Sequence, residues 1–391
     1  MRVLVIGNFS GRNAGDAAIL EGLLADLTSH YDGLEFIIPT INTGFVKKAY
    51  ERYPVRPVSM LPWNFSVKIF GLPILRSVLS ADLILVTDAI LFDLHLFNPL
   101  YNYLSTLALV LPLARRRGTP VVLYNVSLGP AETDLGKKCL RRVLDSSEKV
   151  IVRDRESLKL LDSLGYGNNG VVLAADCALN VPPAAPERVN EILKNEGLLQ
   201  SDRKAVSFNI SSYIDVYVRG KKKGLGREKF VRIINNTLNR LVETLDVEVA
   251  FVITQPMDLD IASEALADLR NPDRVKLLSN KTYSHGELAG VFSRMELHIG
   301  MRTHSLILAS AQCTPVVGII ATPKNRGFMM SIDQEERMVE FGDDFGEESL
   351  ERSITSCWEN RELIRGELKK ITEREKKKAG DSALLLKSYF S

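Results

Sequence analysis

The sequence predicts an α/β protein of two doubly wound, Rossmann-like domains facing each other across a cleft. Short apolar runs alternate with amphipathic helical stretches from one end of the chain to the other. The runs are continuously apolar rather than alternating, as expected of parallel strands covered on both faces. A proline-rich break, Val181-Pro182-Pro183-Ala184-Ala185-Pro186, interrupts the alternation, which then restarts.

In the first half, strands are expected at residues 3–6, 34–38, 83–87, 121–125, 150–152 and 171–174. Between them Ile19, Leu20, Leu23, Leu24 and Leu27 recur at helical spacing, as do Leu158, Leu160, Leu161 and Leu164. After the break, strands are expected at 205–210, 247–253, 275–278, 296–299 and 316–320. Phe230, Val231, Ile234, Leu238, Leu241, Val242 and Leu245 make one apolar helical face. These runs give domains at 1–181 and 187–345. A charged helical segment, 346–391, is expected to pack across their junction.

With 391 residues the chain suits two such domains, and 45% hydrophobic against 25% charged residues is ordinary for a soluble globular protein. A formal net charge of +2 provides no global field to attract nucleic acid. The four cysteines are far apart and show no metal-ligand spacing, so neither a disulfide framework nor a structural zinc is expected. Residues 1–6 read as a first strand rather than a signal peptide. The longest apolar stretch, 104–114, is half of a membrane span and ends in Arg115, Arg116 and Arg117. It reads as a buried crossover helix with a solvated basic end, and peripheral membrane contact is the alternative. The expected location is the cytoplasm, on these readings.

Two segments carry chemistry. The first is Gly7-Asn8-Phe9-Ser10-Gly11-Arg12-Asn13-Ala14-Gly15-Asp16, between the first strand and the first helix. Its glycines allow close approach of a ligand to the backbone, and the helix start behind it suits a phosphate or carboxylate. The spacing is neither GxGxxG nor a P-loop, which weakens nicotinamide and nucleotide-phosphate readings. Asp16 reads either as a helix cap or as a catalytic carboxylate. The second segment is His298-Ile299-Gly300-Met301-Arg302-Thr303-His304-Ser305, where a strand ends and a helix opens. Arg302 offers a planar fork that grips a carboxylate or phosphate, and His304 can pass a proton near neutral pH. The bland reading makes Arg302 an ion-paired residue and His304 a cap. His298 points into the strand and reads as structural. Arg153 and Lys324 each follow a strand and are candidates for further positive charge, although each alone is a common surface pattern. The basic, glycine-rich run from Arg219 to Arg227 reads as a surface loop, with closure over a polyanion as its alternative.

Five pieces of the sequence, in order, resemble the polysaccharide pyruvyl transferase family. They are Asn13-Ala14-Gly15-Asp16, Tyr124-Asn125-Val126-Ser127-Leu128-Gly129-Pro130, Val152-Arg153-Asp154-Arg155-Glu156-Ser157-Leu158, Ala175-Asp176-Cys177-Ala178, and Arg302-Thr303-His304 with Lys324. The resemblance implies a GT-B-like pair of Rossmann domains. It implies transfer of the enolpyruvyl group of phosphoenolpyruvate to two hydroxyls of a sugar, giving a pyruvate ketal and phosphate; such a reaction requires no redox cofactor, and no metal-ligand cluster is visible in the sequence. The glycan acceptor would be a polysaccharide or its lipid-linked precursor. Carried over, Arg302 and His304 contact phosphoenolpyruvate, Arg153 and Lys324 help, and Asn13, Gly15 and Thr303 belong to the binding set. His304 is then the candidate general acid and Asp16 the base or acceptor-orienting group.

The chain departs from the family at Thr87-Asp88-Ala89-Ile90-Leu91-Phe92-Asp93, where a glycine-rich stretch is usual and no glycine is present. Ala17 and Ala321 are further departures. Two other functions fit the same architecture. One is a glycosyltransferase using a nucleotide sugar, for which Glu335 or Glu336 would hold the ribose. The other is an inactive glycan-binding relative. Acceptor, linkage and oligomeric state are not legible.

Overall fold

The structure, a computed structural model, describes residues 1–59, 72–96, 103–166, 170–214, 225–342 and 344–390. The chain divides into two compact units. The first comprises Met1–Gly11, Asp16–Asn180 and Glu375–Ser391, and the second Arg12–Gly15 and Val181–Arg374. Each is an α/β unit around one parallel sheet, the architecture expected from the sequence.

The first unit holds a seven-stranded sheet. Its strands are β1 (Arg2–Ile6), β2 (Glu35–Thr40), β3 (Val55–Ser59), β4 (Leu83–Val86), β5 (Val121–Val126), β6 (Lys149–Val152) and β7 (Val171–Leu173). Their order is β3-β2-β1-β4-β5-β6-β7, with every neighbouring pair parallel. All four residues of β4 and all six of β5 are buried, which is why these runs lack polar alternation. The helices used below are α1 (Ala14–His30), α2 (Leu72–Ser80), α3 (Tyr103–Arg116), α4 (Asp134–Asp145) and α5 (Arg155–Ser163).

The second unit holds a six-stranded sheet of β8 (Ala205–Asn209), β9 (Glu248–Ile253), β10 (Val275–Ser279), β11 (His298–Gly300), β12 (Val316–Ile320) and β13 (Met338–Glu340). The order is β10-β9-β8-β11-β12-β13, again parallel throughout. Phe208 and Phe251, register partners on β8 and β9, stack with centroids 5.8 Å apart in its core. Strand order reverses between β8 and β11, the switch point where an open α/β sheet offers its binding crevice. Two helices start beside the switch: α6 (Thr303–Ala311) after β11, and α7 (Pro323–Ser331) after β12.

The charged segment at the end forms a helix at Glu347–Glu359 and a longer one, α8 (Arg361–Leu384), whose residues cluster with the second unit up to Arg374 and with the first from Glu375. Within the first unit this end is held by polar bonds to its backbone. Asn180 Nδ2 donates to Lys376 O, Asn125 Nδ2 to Ala379 O, and the Tyr31 hydroxyl to Ala383 O. All four cysteines are free. Among the described residues, no helix is long and apolar enough to cross a membrane.

Candidate functional site

At the carboxyl ends of β8 and β11 the second unit carries a polar cluster built on Asn209, which is fully buried. Its Oδ1 accepts from the Arg302 backbone N–H at 2.9 Å, its Nδ2 donates to Val252 O at 2.7 Å, and its carbonyl accepts from Met301 N–H. This pins the turn from β11 into α6. Arg302 occupies the N-cap position of α6 in extended conformation, but its side chain does not cap the helix. The guanidinium instead meets Asp258, which lies after β9 and is wholly buried. Nε donates to Asp258 Oδ2 at 2.9 Å and Nη2 to Oδ1 at 2.6 Å, while Ser212 N–H donates to Oδ1 at 2.8 Å.

One edge of the Arg302 fork is thus fixed by a carboxylate. Nη1 makes no hydrogen bond among the described residues, and the side chain is 25% exposed. A bidentate anchor on one edge aims the other, and a guanidinium has donors to spare. Arg302 is therefore ion-paired, as its bland reading held, and still has a donor for a ligand.

His298 is buried beneath this turn, with Nδ1 2.9 Å from Ser207 Oγ and Nε2 3.0 Å from Ser305 Oγ. Burial pushes its pKa down to about 3, so the ring is neutral near pH 7 and acts as a structural bridge. His304 is the second residue of α6, half-buried, and its ring lies against Gly15. A Cβ on Gly15 would sit 2.2 Å from His304 Cγ and Nδ1, so the contact requires glycine.

Gly15 reaches His304 because Arg12–Gly15 belongs to the second unit. Ala14 N–H donates to Thr254 O at 2.9 Å, and Asn280 Nδ2 to Arg12 O at 3.2 Å. Asn13 Oδ1 accepts from Gly15 N–H at 2.9 Å, so the side-chain cap seen at the start of α1 is Asn13. Asp16, in the first turn of α1, clusters with the first unit and accepts from Asn8 Nδ2 at 2.8 Å.

Lys324, half-buried, is the second residue of α7. The next residue, Asn325, donates from Nδ2 to Met301 O at 2.7 Å, tying the first turn of α7 to the end of β11. Neither α6 nor α7 carries an acidic residue in its first turn. Cations at the positive end of a helix dipole are unfavourable by a few tenths to about 1 kcal/mol each, so this pattern serves an anion better than it serves the helices.

The second unit therefore brings together Asn13, Gly15, Arg302, Thr303, His304 and Lys324. It does not include Arg153, which lies in the first unit as a buried pair with Asp176 at 2.8 Å, both side chains 7% exposed. Burial alone would lower its pKa, but Asp176, Asp88 and Asp154 hold it raised. The segment around Arg153 is structural in detail. Asp154 caps α5 through Ser157 N–H, Ser157 Oγ accepts from Leu128 N–H at 2.8 Å, and Asp176 Oδ1 accepts from Ala178 N–H. Three of the sequence motifs, at 124–130, 152–158 and 175–178, are thus one interlocked network.

The glycine-free stretch Thr87-Asp88-Ala89-Ile90-Leu91-Phe92-Asp93 is also pinned. Asp88 takes φ 70, a left-handed conformation that Asp tolerates where glycine would be usual. Asp93 Oδ2 accepts from Glu132 N–H, Thr133 N–H and Thr133 Oγ at the start of α4. Sequence reasoning missed Asp258 and Asn209. Asn209 carries a readable signal, a polar residue ending an apolar strand, whereas Asp258 has none. Most of the basic run at Arg219–Arg227 lies outside the described residues.

Similar proteins agree with this architecture. The Amylovoran biosynthesis protein AmsJ of Erwinia amylovora is 20% identical over 96% of both chains. UDP-GlcNAc 2-epimerase from Neisseria meningitidis superposes with a TM-score of 0.64 at 12% identity, covering 100% of this chain and 99% of its own. Anabaena Alr3699/HepE, solved in complex with UDP, superposes with a TM-score of 0.63 at 15% identity, covering 99% of both chains. These two likenesses are of fold, the GT-B-like class of paired Rossmann-like units. The model of the family Polysaccharide pyruvyl transferase matches residues 13–321, which begin and end beside the cluster described above, and the chain belongs to that family.

Proposed function

We propose that the protein transfers the enolpyruvyl group of phosphoenolpyruvate onto two hydroxyls of a sugar, in a polysaccharide or its lipid-linked precursor. The products are a pyruvate ketal and inorganic phosphate. The observation that carries this reading is Arg302, clamped on one edge by Asp258, with Nη1 unbonded among the described residues, beside two helix starts that bear cations instead of carboxylates. A donor with both a carboxylate and a phosphate needs two basic grips, and Arg302 and Lys324 are the residues assigned to them. Thr303, whose N–H makes no hydrogen bond among the described residues, and the turn Asn13–Gly15 complete the binding set.

The reaction needs a proton on the methylene carbon, a stabilised cationic centre at the neighbouring carbon, and a base for the attacking hydroxyl. His304 is assigned as the acid that protonates the methylene. The first sugar hydroxyl then attacks the adjacent carbon and the second displaces phosphate, closing the ketal ring. Asp16 is assigned to orient or deprotonate the acceptor. Arg153 is left out of the donor set because its side chain, paired with Asp176, is only 7% exposed.

Thermal denaturation with candidate donors tests the reading. A ligand at a hundred times its Kd stabilises by about 2.7 kcal/mol. Phosphoenolpyruvate should raise the midpoint in wild type and fail to do so in Arg302→Ala. Stabilisation by a nucleotide sugar and none by phosphoenolpyruvate would replace this reading with the glycosyltransferase one.

A further inference from the structure

One surface of the first unit is unlike the rest. Helices α2 and α3 pack against each other, with Val78, Leu104, Leu107 and Leu111 turned into the core. Among the described residues their exposed positions are leucine and arginine only, not the mixed polar set of a solvated helix face. Leu79 is 38% exposed, Leu109 53% and Leu113 39%. Leu109 and Leu113 are one turn apart on α3, and Arg116 and Arg117 continue the same face by the next turn. Arg76 on α2 and Arg115, Arg116 and Arg117 at the end of α3 are all exposed, and none forms an ion pair among the described residues.

The charge pattern says what covers this face. Residues 52–81 and 94–120 contain no Asp or Glu. With 48 acidic residues among 391, about seven would be expected in 57 positions at random. Exposed leucines and exposed arginines without ion pairs among the described residues, on two packed helices in acid-free stretches of sequence, match a lipid surface with negative headgroups. The apolar side chains enter the headgroup boundary and the arginines meet the phosphates. Water alone is a poor partner for such a patch, and α3 is too short to span a bilayer. We propose that the outer face of α2 and α3 is a peripheral docking surface for an anionic lipid membrane, through Leu79, Leu109, Leu113, Arg76 and Arg115–Arg117. The surface is independent of the chemistry assigned to the second unit.

Co-sedimentation of the full chain with vesicles tests it. Wild type should pellet with vesicles containing phosphatidylglycerol, not with pure phosphatidylcholine, and should be released by salt. Each arginine near such a surface contributes about fivefold in binding, so R115E/R116E/R117E should weaken it on the order of a hundredfold or more. L109S/L113S should also weaken it at unchanged charge. Both variants alter exposed positions, so their melting midpoints should match wild type; a lowered midpoint is met by repeating the assay with R116E alone. Failure of wild type to bind, or equal binding by the triple variant, would overturn the proposal. So would self-association, seen by sedimentation without lipid, that L109S/L113S abolishes, because the face would then be covered by a second copy.

Discussion

Replacing Asp258 by asparagine removes one charge and little volume from the cluster beneath Arg302. Asp258 is wholly buried, and its carboxylate holds the Nε/Nη2 edge at 2.9 and 2.6 Å together with Ser212 N–H. In Asp258→Asn the amide oxygen keeps one or two of these donors, but the NH2 group faces an N–H of Arg302. One charge-assisted bond, worth about 1.5–3 kcal/mol, is lost and a donor–donor contact appears. Relief from burying a carboxylate offsets part of that loss. A net destabilisation of about 2 kcal/mol is expected, read by chemical denaturation. The larger effect falls on ligand binding, because a freed guanidinium no longer presents Nη1 in a fixed direction. Misplacement of a positioning group costs on the order of a hundredfold, so KM for phosphoenolpyruvate should rise strongly while kcat falls less. An Asp258→Asn enzyme that loses stability yet keeps KM within twofold would refute the positioning role. An Arg302→Ala enzyme that keeps KM would refute the donor site itself, so the two failures are distinguishable.

Gly15→Ala should bring a methyl to 2.2 Å from the His304 ring and displace it, lowering kcat on the order of a hundredfold in a folded protein, checked by steady-state kinetics beside a melting curve. Arg153→Ala should strand Asp176 in a site where its side chain is 7% exposed, lowering stability by about 3–5 kcal/mol. Surviving Arg153→Ala protein at low temperature should keep its affinity for phosphoenolpyruvate, measured by calorimetry. Asp26 is buried with Oδ2 unbonded among the described residues, and burial raises its pKa from 3.8 to about 7, against the opposing bond from Asn180. The folded state therefore binds a proton that the unfolded chain has released, and this contribution to stability declines as pH rises from about 4 to about 7. The decline is about 4 kcal/mol at most, and Asp26→Asn should flatten it in denaturation at stepped pH. His298 has the opposite sign, since a pKa of about 3 against the ordinary 6.5 means stability lost as pH falls below 6.5. His298→Gln should remove that acid limb from the same curves.

The central strands were legible because burial on both faces leaves an unbroken apolar run, and β12 spans the residues expected, 316–320. Two edge strands, β7 and β10, were legible in the same way, but β3 and β13 were not. β3 reads Val55-Arg56-Pro57-Val58-Ser59, and its proline is tolerated only because an edge strand has a side with no ladder. β13 is three residues long, too short for any periodicity. In the cluster, Arg302, His304 and Lys324 were legible because each follows an apolar strand and opens a helix. Asp258 was not, because its importance lies only in meeting Arg302 across 44 residues of chain. The turn Gly7–Asp16 reads as one piece in sequence but divides in space, with Arg12–Gly15 clustering with the second unit through Thr254, Asn280 and His304. The motif around Arg153 suggested a ligand grip; in the structure these residues are bonded to one another inside the first unit, a pairing that sequence spacing does not reveal.

Incubating the protein with isotopically labelled phosphoenolpyruvate and a panel of sugar acceptors, and reading phosphate release beside acceptor mass, is the direct measurement. The account predicts one phosphate released per labelled acceptor, and a mass gain of one pyruvic acid less one water. The same mixture with His304→Ala should show neither above background. Transfer of a glycosyl unit from an added nucleotide sugar, with phosphoenolpyruvate left intact, would contradict it.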